Sequence, residues 1–366
     1  MSLKKIAALT GASVSTVSRV LNDSGYHCRE KGLEEKIWAA AKKLSYLPNS
    51  AARQLRMGGT DTKDVRKDAF TIDIFLTRFD SLKQDAFFYE LYLILKEELM
   101  ANGIYLGEIL SSYDILALSH ASINKKAVPY RTHHAIQTEK QGNQTAFIEQ
   151  KKNTGLFIFG KCPDSFISIL KKRYTHIVGI DRNPTDYEYD EVICNGTTAA
   201  EKAMEYLISL GHKQIAYIGD CTLESRYTGY YQALLNHRIP LSHDNIYPTG
   251  QTREEGEASM RAILQKTNPP TAIFCANDVT ALGVLSVLRK KHKKGYLPSV
   301  ISIDNIRESG ECEPLLTTID IPKYEMVHLA LTLLLDRRKG LHREAVRIEL
   351  PCRLLIRESC TYAPIP

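Results

Sequence analysis

From Phe70 onward, short apolar runs alternate with amphipathic stretches. This predicts strands over 70–76, 157–160, 176–181, 214–219, 271–275 and 298–304, with helices over 88–101, 197–210, 226–236, 255–266 and 279–291. Strand followed by helix, repeated, gives parallel, doubly wound sheets, because a parallel neighbour needs a long crossover and a helix supplies it. The expected class is α/β. One segment, about 111 to 150, is polar and irregular and carries no such pattern.

Ahead of it lies a different kind of chain. In residues 3 to 57, Ile6 and Leu9, then Val14, Val17, Val20 and Leu21, then Ile37, Ala40, Ala41 and Leu44 recur at spacings of three to four, which predicts a compact helical unit. Between the first two helices, Thr10-Gly11-Ala12-Ser13 offers Gly11 to relieve the backbone at the turn and Ser13 as an N-cap. That is the layout of a helix-turn-helix. After Leu47-Pro48, the run Asn49 to Met57 can form one more short helix, and Gly58-Gly59-Thr60 loosens the chain into a polar stretch ending near Asp68.

Charge distinguishes these two regions. The whole chain of 366 residues has a formal charge of +6, and residues 1–60, with ten Lys/Arg against four Asp/Glu, account for all of it. A basic head on a balanced body suits binding to a polyanion, since phosphate neutralisation requires Lys and Arg gathered on one surface. The eight cysteines are scattered without a C-x-x-C, so they read as reduced, mostly buried thiols. His120 and His133-His134 lack a further ligand at metal spacing and read as loop, so no metal is expected. Neither a signal-like start nor an apolar run of membrane-spanning length is visible; the expectation is a cytoplasmic protein with no membrane partner.

The second helix, Ser13 to Asn22, carries short polar residues on its leading turn. Small hydroxyls let a helix N-terminus approach phosphates and base edges. Arg19 is long enough for a bidentate contact to guanine O6 and N7, while Val17, Val20 and Leu21 would face the core. The run from Lys5-Ile6-Ala7-Ala8-Leu9 through Ser18-Arg19-Val20-Leu21-Asn22 resembles, nearly without a break, the head-piece signature of LacI/GalR-family regulators. The likeness resumes at Ala39 to Asn49 and at Ala52-Arg53-Gln54-Leu55, which resemble the family's third helix and hinge helix. The loop from His27 to Glu35 is longer than the family's usual one.

The resemblance implies that Val14, Ser15 and Arg19 read bases, and that Thr16, Ser18, Asn22, Tyr46 and Asn49 contact the DNA backbone. It also puts Ala52 and Leu55 in the DNA-binding hinge, with Leu55 as the minor-groove wedge. Two such apolar side chains from a dimer can wedge open a single base step, at a cost of roughly a few kcal/mol that new contacts offset. A helix this short is not stable alone and is expected to form on DNA. A homodimer on near-palindromic double-stranded operator DNA follows, because one recognition helix reads too few base pairs.

The body is similar to the same family, and through it to the periplasmic sugar-binding fold: two α/β lobes flanking a cleft. The matching pieces are Leu210 to Gly219, Arg226 to Tyr230, Asn277 to Gly283 and Pro314 to Ile319. The implied organisation is a DNA-binding domain over 1–58 with its hinge helix at 49–57, a linker over 59–69, and an effector-binding and dimerisation domain over 70–366. The first lobe would take about 70–194 and 321–350, and the second about 195–320 and 351–366.

Ligands of such folds lie outside the carboxyl ends of the strands. Asp181, Asn277 and Asp304 each close a predicted strand and Arg226 opens a helix beside them, and the family's effector contacts match these four positions. Carboxylates, an amide and a guanidinium can satisfy the paired donors and acceptors of sugar hydroxyls. Phe87 and Phe88 begin the first large helix, where an aromatic ring could stack on a sugar face. A shorter likeness, carried by Gly155 to Lys161 and Asp85 to Tyr89, is to members that repress galactoside operons.

No nucleophile elbow, phosphate-cradling glycine loop or metal pair supports an enzyme, and no cofactor is expected. The reading is a repressor of a sugar-utilisation operon controlled by a sugar effector. An effector-dependent activator, a corepressor-type regulator and a plain sugar-binding protein are the alternatives at this point.

Overall fold

The computed structural model describes residues 3–22, positions 32, 33, 36, 37 and 40, and 69–78, 81–115, 150–181, 183–222, 224–290 and 296–364. The chain divides into two compact units, Met1–Ala69 and Phe70–Pro366. In the first unit, α1 (Leu3–Thr10) and α2 (Val14–Asn22) pack through Ile6, Ala7, Val17 and Val20, with Ile37 completing the core. Gly11 turns the chain between them at φ +70, a left-handed conformation that glycine adopts without penalty. Ser13 Oγ accepts the Thr16 backbone N–H at 3.0 Å, capping α2.

The second unit holds two six-stranded sheets. The first contains β1 (Thr71–Leu76), β2 (Tyr105–Ser111), β3 (Thr154–Phe159), β4 (His176–Asp181) and β5 (Asp190–Ile193). With them run α3 (Ala86–Ala101), between β1 and β2, and α4 (Asp164–Arg173), between β3 and β4. The second sheet follows α5 (Gly196–Ser209) and contains β6 (Ile215–Gly219), β7 (Ile246–Pro248), β8 (Ala272–Cys275), β9 (Ser299–Asp304) and β10 (Thr317–Asp320). Between them come α6 (Ser225–Asn236), α7 (Arg253–Ile263) and α8 (Asp278–Lys290). The chain then returns through α9 (Lys323–Arg338) to place β11 (Arg347–Glu349) in the first sheet, and crosses once more to place β12 (Arg353–Leu355) in the second.

The strand orders are β11-β5-β4-β3-β1-β2 and β12-β10-β9-β8-β6-β7. Every pairing is parallel except that of β10 with β12. Both sheets reverse their winding between the first and third strands, β1 and β3 in one, β6 and β8 in the other. In such sheets a crevice opens at that point, beyond the carboxyl ends of the strands.

Side-chain alternation explains the apolar runs. Along β6 and β8, Ile215, Tyr217, Ala272 and Phe274 enter the core shared by both lobes, while Ala216, Ile218, Ile273 and Cys275 enter a second core on the opposite face. Phe157 and Phe159 of β3 likewise join the shared core, and Leu156 and Ile158 a third one. Both sheets are therefore covered on both sides, which leaves no polar alternation in their central strands.

Where α7 crosses α8, the backbones touch through glycine. A Cβ on Gly283 would stand 2.1 Å from Arg253 O, and one on Gly256 would stand 2.2 Å from Thr280 O. Gly283→Ala is expected to destabilise the domain by about 1–3 kcal/mol, because two packed helices must separate to admit one methyl group. A lowered urea midpoint with unchanged denaturant slope would report it.

Candidate DNA and effector sites

In the head, burial of Val17 and Val20 turns the opposite face of α2 outward, so that Val14, Ser15 and Arg19 are exposed and Thr16 is half-buried. The Ser13, Ser15 and Thr16 hydroxyls hydrogen-bond to one another at 2.8 Å, gathering small polar groups at the leading turn. Ser18 and Asn22 belong to α2, but their side chains, with Tyr46, Asn49, Ala52, Leu55 and the 49–57 segment, lie outside the described residues. So do His120, His133 and His134. Among the described residues, no group of three or more His, Cys, Asp or Glu could hold a metal ion, and no helix is long and apolar enough to cross a membrane.

In the body, Arg226 is the organising side chain. It sits in the first turn of α6, just past the carboxyl end of β6, and is 1% exposed. Glu224, the N-cap of that helix, accepts from Arg226 Nε at 2.8 Å and from Nη2 at 2.7 Å. Nη1 donates to Ala276 O at 2.7 Å, and Nη2 also donates to Gln251 Oε1 at 2.9 Å. Burial opposes the charge on this guanidinium, but the carboxylates of Glu224 and then Asp304 outweigh it and raise its pKa above the ordinary arginine value.

Asn277 and Asp304 meet the same cluster. Asn277 follows β8, caps α8 by accepting from Thr280 N at 2.9 Å, and donates through Nδ2 to Gln251 O at 3.2 Å. Asp304 ends β9 at φ 127, followed by Asn305 at φ 48. Two successive residues in left-handed backbone persist only where their surroundings hold them, and such strain collects at functional sites. Lys323 Nζ donates to the backbone oxygens of Asp304, at 2.7 Å, and Asn305, at 2.8 Å. The same ammonium lies 5.7 Å from the Phe87 ring centroid.

The remaining sequence-derived residues lie on the first lobe's side. Asp181 ends β4, and its Oδ2 accepts from Asn183 Nδ2 at 3.3 Å, while Asn183 Oδ1 accepts from Ser225 N, next to Arg226, at 3.0 Å. Phe87 and Phe88 are each 2% exposed within the shared core, and Phe88 packs on Phe159 with centroids 5.9 Å apart. Both are core residues.

Four further residues that the sequence did not single out join this cluster: Arg78, Glu224, Gln251 and Lys323. Arg78, just beyond β1, reaches from the first lobe to the second, with Nη1 donating to Gln251 Oε1 at 3.0 Å and Nη2 to Gly250 O at 2.8 Å. Gln251 is buried at φ 67; with Oε1 taken by two arginines, its Nε2 finds no hydrogen-bond partner. An orphaned amide donor beside a buried guanidinium is costly, and a ligand oxygen would satisfy it.

A pocket of about 390 Å³ opens at the rim, lined by Lys161, Asn183, Thr222, Glu224 and Ser225. A larger groove of about 710 Å³, lined by Lys213, His237, Arg238 and Lys266, lies at the amino-terminal end of β6 and shares none of these residues.

Comparison with known proteins places both units. Residues 2–49 match the bacterial regulatory proteins of the lacI family, and residues 204–360 match the periplasmic binding protein-like domain. The HTH-type transcriptional repressor PurR of Erwinia tasmaniensis is 28% identical over 372 residues, an alignment covering 99% of this chain and 97% of that protein. Among solved structures, the transcriptional regulator CelR in complex with cellobiose aligns with TM-score 0.63 at 22% identity, over 98% of this chain and 100% of the other. The lac repressor dimer bound to operator and the anti-inducer ONPF aligns with TM-score 0.62 at 20% identity, over 99% of each chain.

Proposed function

The chain belongs to the lacI family of bacterial regulatory proteins, and from that premise we propose that it is a dimeric, cytoplasmic transcriptional repressor whose hold on a near-palindromic operator is set by a sugar bound between its two lobes. It is a DNA-binding regulator and not an enzyme. α2 is the recognition helix, with Val14, Ser15 and Arg19 toward base edges and Thr16 toward phosphate. The effector site is assigned to Arg226, Asn277, Asp304 and Asp181 with Phe87 and Phe88 as apolar walls, and Arg78, Glu224, Gln251 and Lys323 are added to it.

The observation that carries the effector reading is the buried cluster around Gln251, where guanidinium, carboxylates and an unmatched amide donor converge at the carboxyl ends of strands from both sheets. Such a set discriminates among polyhydroxylated ligands, because each unmatched hydroxyl would leave a buried group unpaired. Arg78 supplies the link to DNA control: it bonds across the lobes, and a ligand that competes for Gln251 changes what holds them together.

The test is binding of the purified protein to fluorescent DNA from upstream of its own gene, with random DNA as competitor, at fixed salt, while sugars are titrated in turn. Competitor-resistant binding that one sugar weakens or strengthens is the expected result, and the same titration gives the sign of the effect. Binding no tighter than to random DNA, with every sugar silent, would overturn it. Arg226→Lys keeps a cation opposite Glu224 but loses the fork, so it should bind operator normally and require about tenfold more sugar for half effect, a change of about 1.4 kcal/mol. An unaltered sugar response would remove Arg226 from the site.

A further inference from the structure

Two thiols meet where the chain passes between the lobes. Cys194 follows β5 of the first sheet, directly before α5 carries the chain into the second lobe, and Cys352 lies between β11 of the first sheet and β12 of the second. The two passages run side by side: Glu349 is in register with Ile193, and Leu350 N donates to Ile193 O at 2.8 Å. Cys194 is fully buried and Cys352 is 4% exposed, both in the core shared by the two lobes, where Cys194 acts on the Cys352 thiol to lower its pKa. Neither is in a disulfide.

Cys352 also lines a surface pocket of about 390 Å³, together with Asn195, Thr198, Lys202 and Pro351. Lys202 Nζ donates to the Cys352 backbone oxygen at 2.9 Å, which holds an ammonium at this residue. This pocket shares no residue with the Arg226 cluster, and the sugar reading gives it no role.

We propose that Cys194 and Cys352 form a redox modification site, in which a small peroxide entering this pocket oxidises Cys352 and Cys194 then closes a reversible disulfide. The Cys352 thiolate attacks one peroxide oxygen; the S–O bond forms, the O–O bond breaks, and the departing hydroxide takes up the thiol's proton as water. Cys194 sulfur then attacks Cys352 sulfur, forming S–S, breaking S–O and releasing the second water. Two thiols and one peroxide give one disulfide and two waters, which is the pattern of a reactive cysteine beside a resolving one. The paired passages, with Glu349 in register with Ile193, bring the two cysteines to neighbouring strand ends, as a disulfide between them requires.

Reactivity separates Cys352 from the other thiols compared among the described residues. The Cys194 hydrogen bond outweighs burial and, with the Lys202 ammonium, brings Cys352 down to about 7. Burial instead pushes Cys162 up to about 12, Cys221 and Cys360 up to about 11, and raises Cys275 and Cys312 as well. Only the thiolate is the nucleophile, and even though a lower pKa weakens it, the larger thiolate fraction dominates at neutral pH. The product would tie together two of the passages through which the lobes turn against each other, a crosslink that a reducing compartment removes.

The experiment treats the full-length protein with hydrogen peroxide at pH 7, quenches with an alkylating agent and maps non-reduced peptides by mass spectrometry. The expected product is a Cys194–Cys352 linked peptide, lighter by the two lost hydrogens and reversed by dithiothreitol. It should form at least about tenfold faster than oxidation at Cys162, Cys221, Cys275, Cys312 or Cys360. In Cys194→Ser, Cys352 should instead be trapped by dimedone as its sulfenic acid. Oxidation of the wild-type protein at a uniform rate without that linked peptide, or pairing of Cys352 with another cysteine, would overturn the proposal; neither result depends on how a variant folds.

Discussion

Arg19→Ala is expected to lower operator affinity by on the order of 10² to 10⁴ at fixed salt while weakening binding to random DNA far less. Arg19 stands exposed on the last turn of α2, on the face opposite Val17 and Val20. A guanidinium held there by a packed helix can make two parallel hydrogen bonds to one guanine, worth about 1–3 kcal/mol against the wrong base. A dimer makes the contact once in each half-site, so the loss is roughly doubled in free energy. The head should stay folded, since the substitution removes no buried group and changes helix stability by only a few tenths of a kcal/mol. The measurement is competition binding of wild type and variant to operator and to random DNA. An equal loss on both would mean that Arg19 meets only phosphate, and the base-reading assignment of α2 would fail.

What could be read from the sequence follows from what each residue does in the fold. β1, β3, β4, β6, β8 and β9 were legible because they are buried on both faces and leave mainly apolar runs, broken only by buried polar residues such as Asp73 and Ser302. β5 was not: it opens with Asp190 and Glu191, two buried acids that look like surface until Arg337 and Arg347 are seen beside them. β7, β11 and β12 are three residues each, too short for any period to show. α9 buries Met326, Val327, Ala330, Leu331, Leu333 and Leu334 between the first sheet and α3, an arc wide enough to blur a helical stripe.

The same logic governs the site. Asp181, Asn277 and Asp304 could be picked out because a polar residue ends an apolar strand in each case, and Arg226 because it opens the helix after β6. Arg78, Glu224, Gln251 and Lys323 owe their roles to which loops face one another, and no local pattern records that. Gln251 illustrates the limit: it is a loop glutamine like any other until Arg78 from one lobe and Arg226 from the other close on its single oxygen.

Asp190→Asn should cost about 3 kcal/mol of stability at pH 7, toward the lower end of what breaking a buried ion pair costs, because Arg337 retains a fifth of its exposure and two backbone acceptors. Asp190 is fully buried and accepts four hydrogen bonds: from Arg337 Nε at 2.5 Å and Nη2 at 2.7 Å, from His342 Nε2 at 2.9 Å and from Val346 N at 2.9 Å. An asparagine offers one oxygen and turns an N–H group toward at least one of those donors, so it cannot replace the carboxylate.

Burial alone would push the Asp190 carboxyl up, but the hydrogen bonds from Arg337, His342 and Val346 together outweigh it and hold the group below its ordinary value. With the folded pKa depressed, this contribution is fully present above the unfolded pKa, about 3.9, and is lost as pH falls through the folded value. The gap between wild type and variant should therefore shrink as pH falls below about 4, as read from urea midpoints across that range. A gap that widened on acidification would contradict the depressed pKa, and no gap at pH 7 would mean that the segment from His342 to Val346, which leads into β11, is held by something other than this carboxylate.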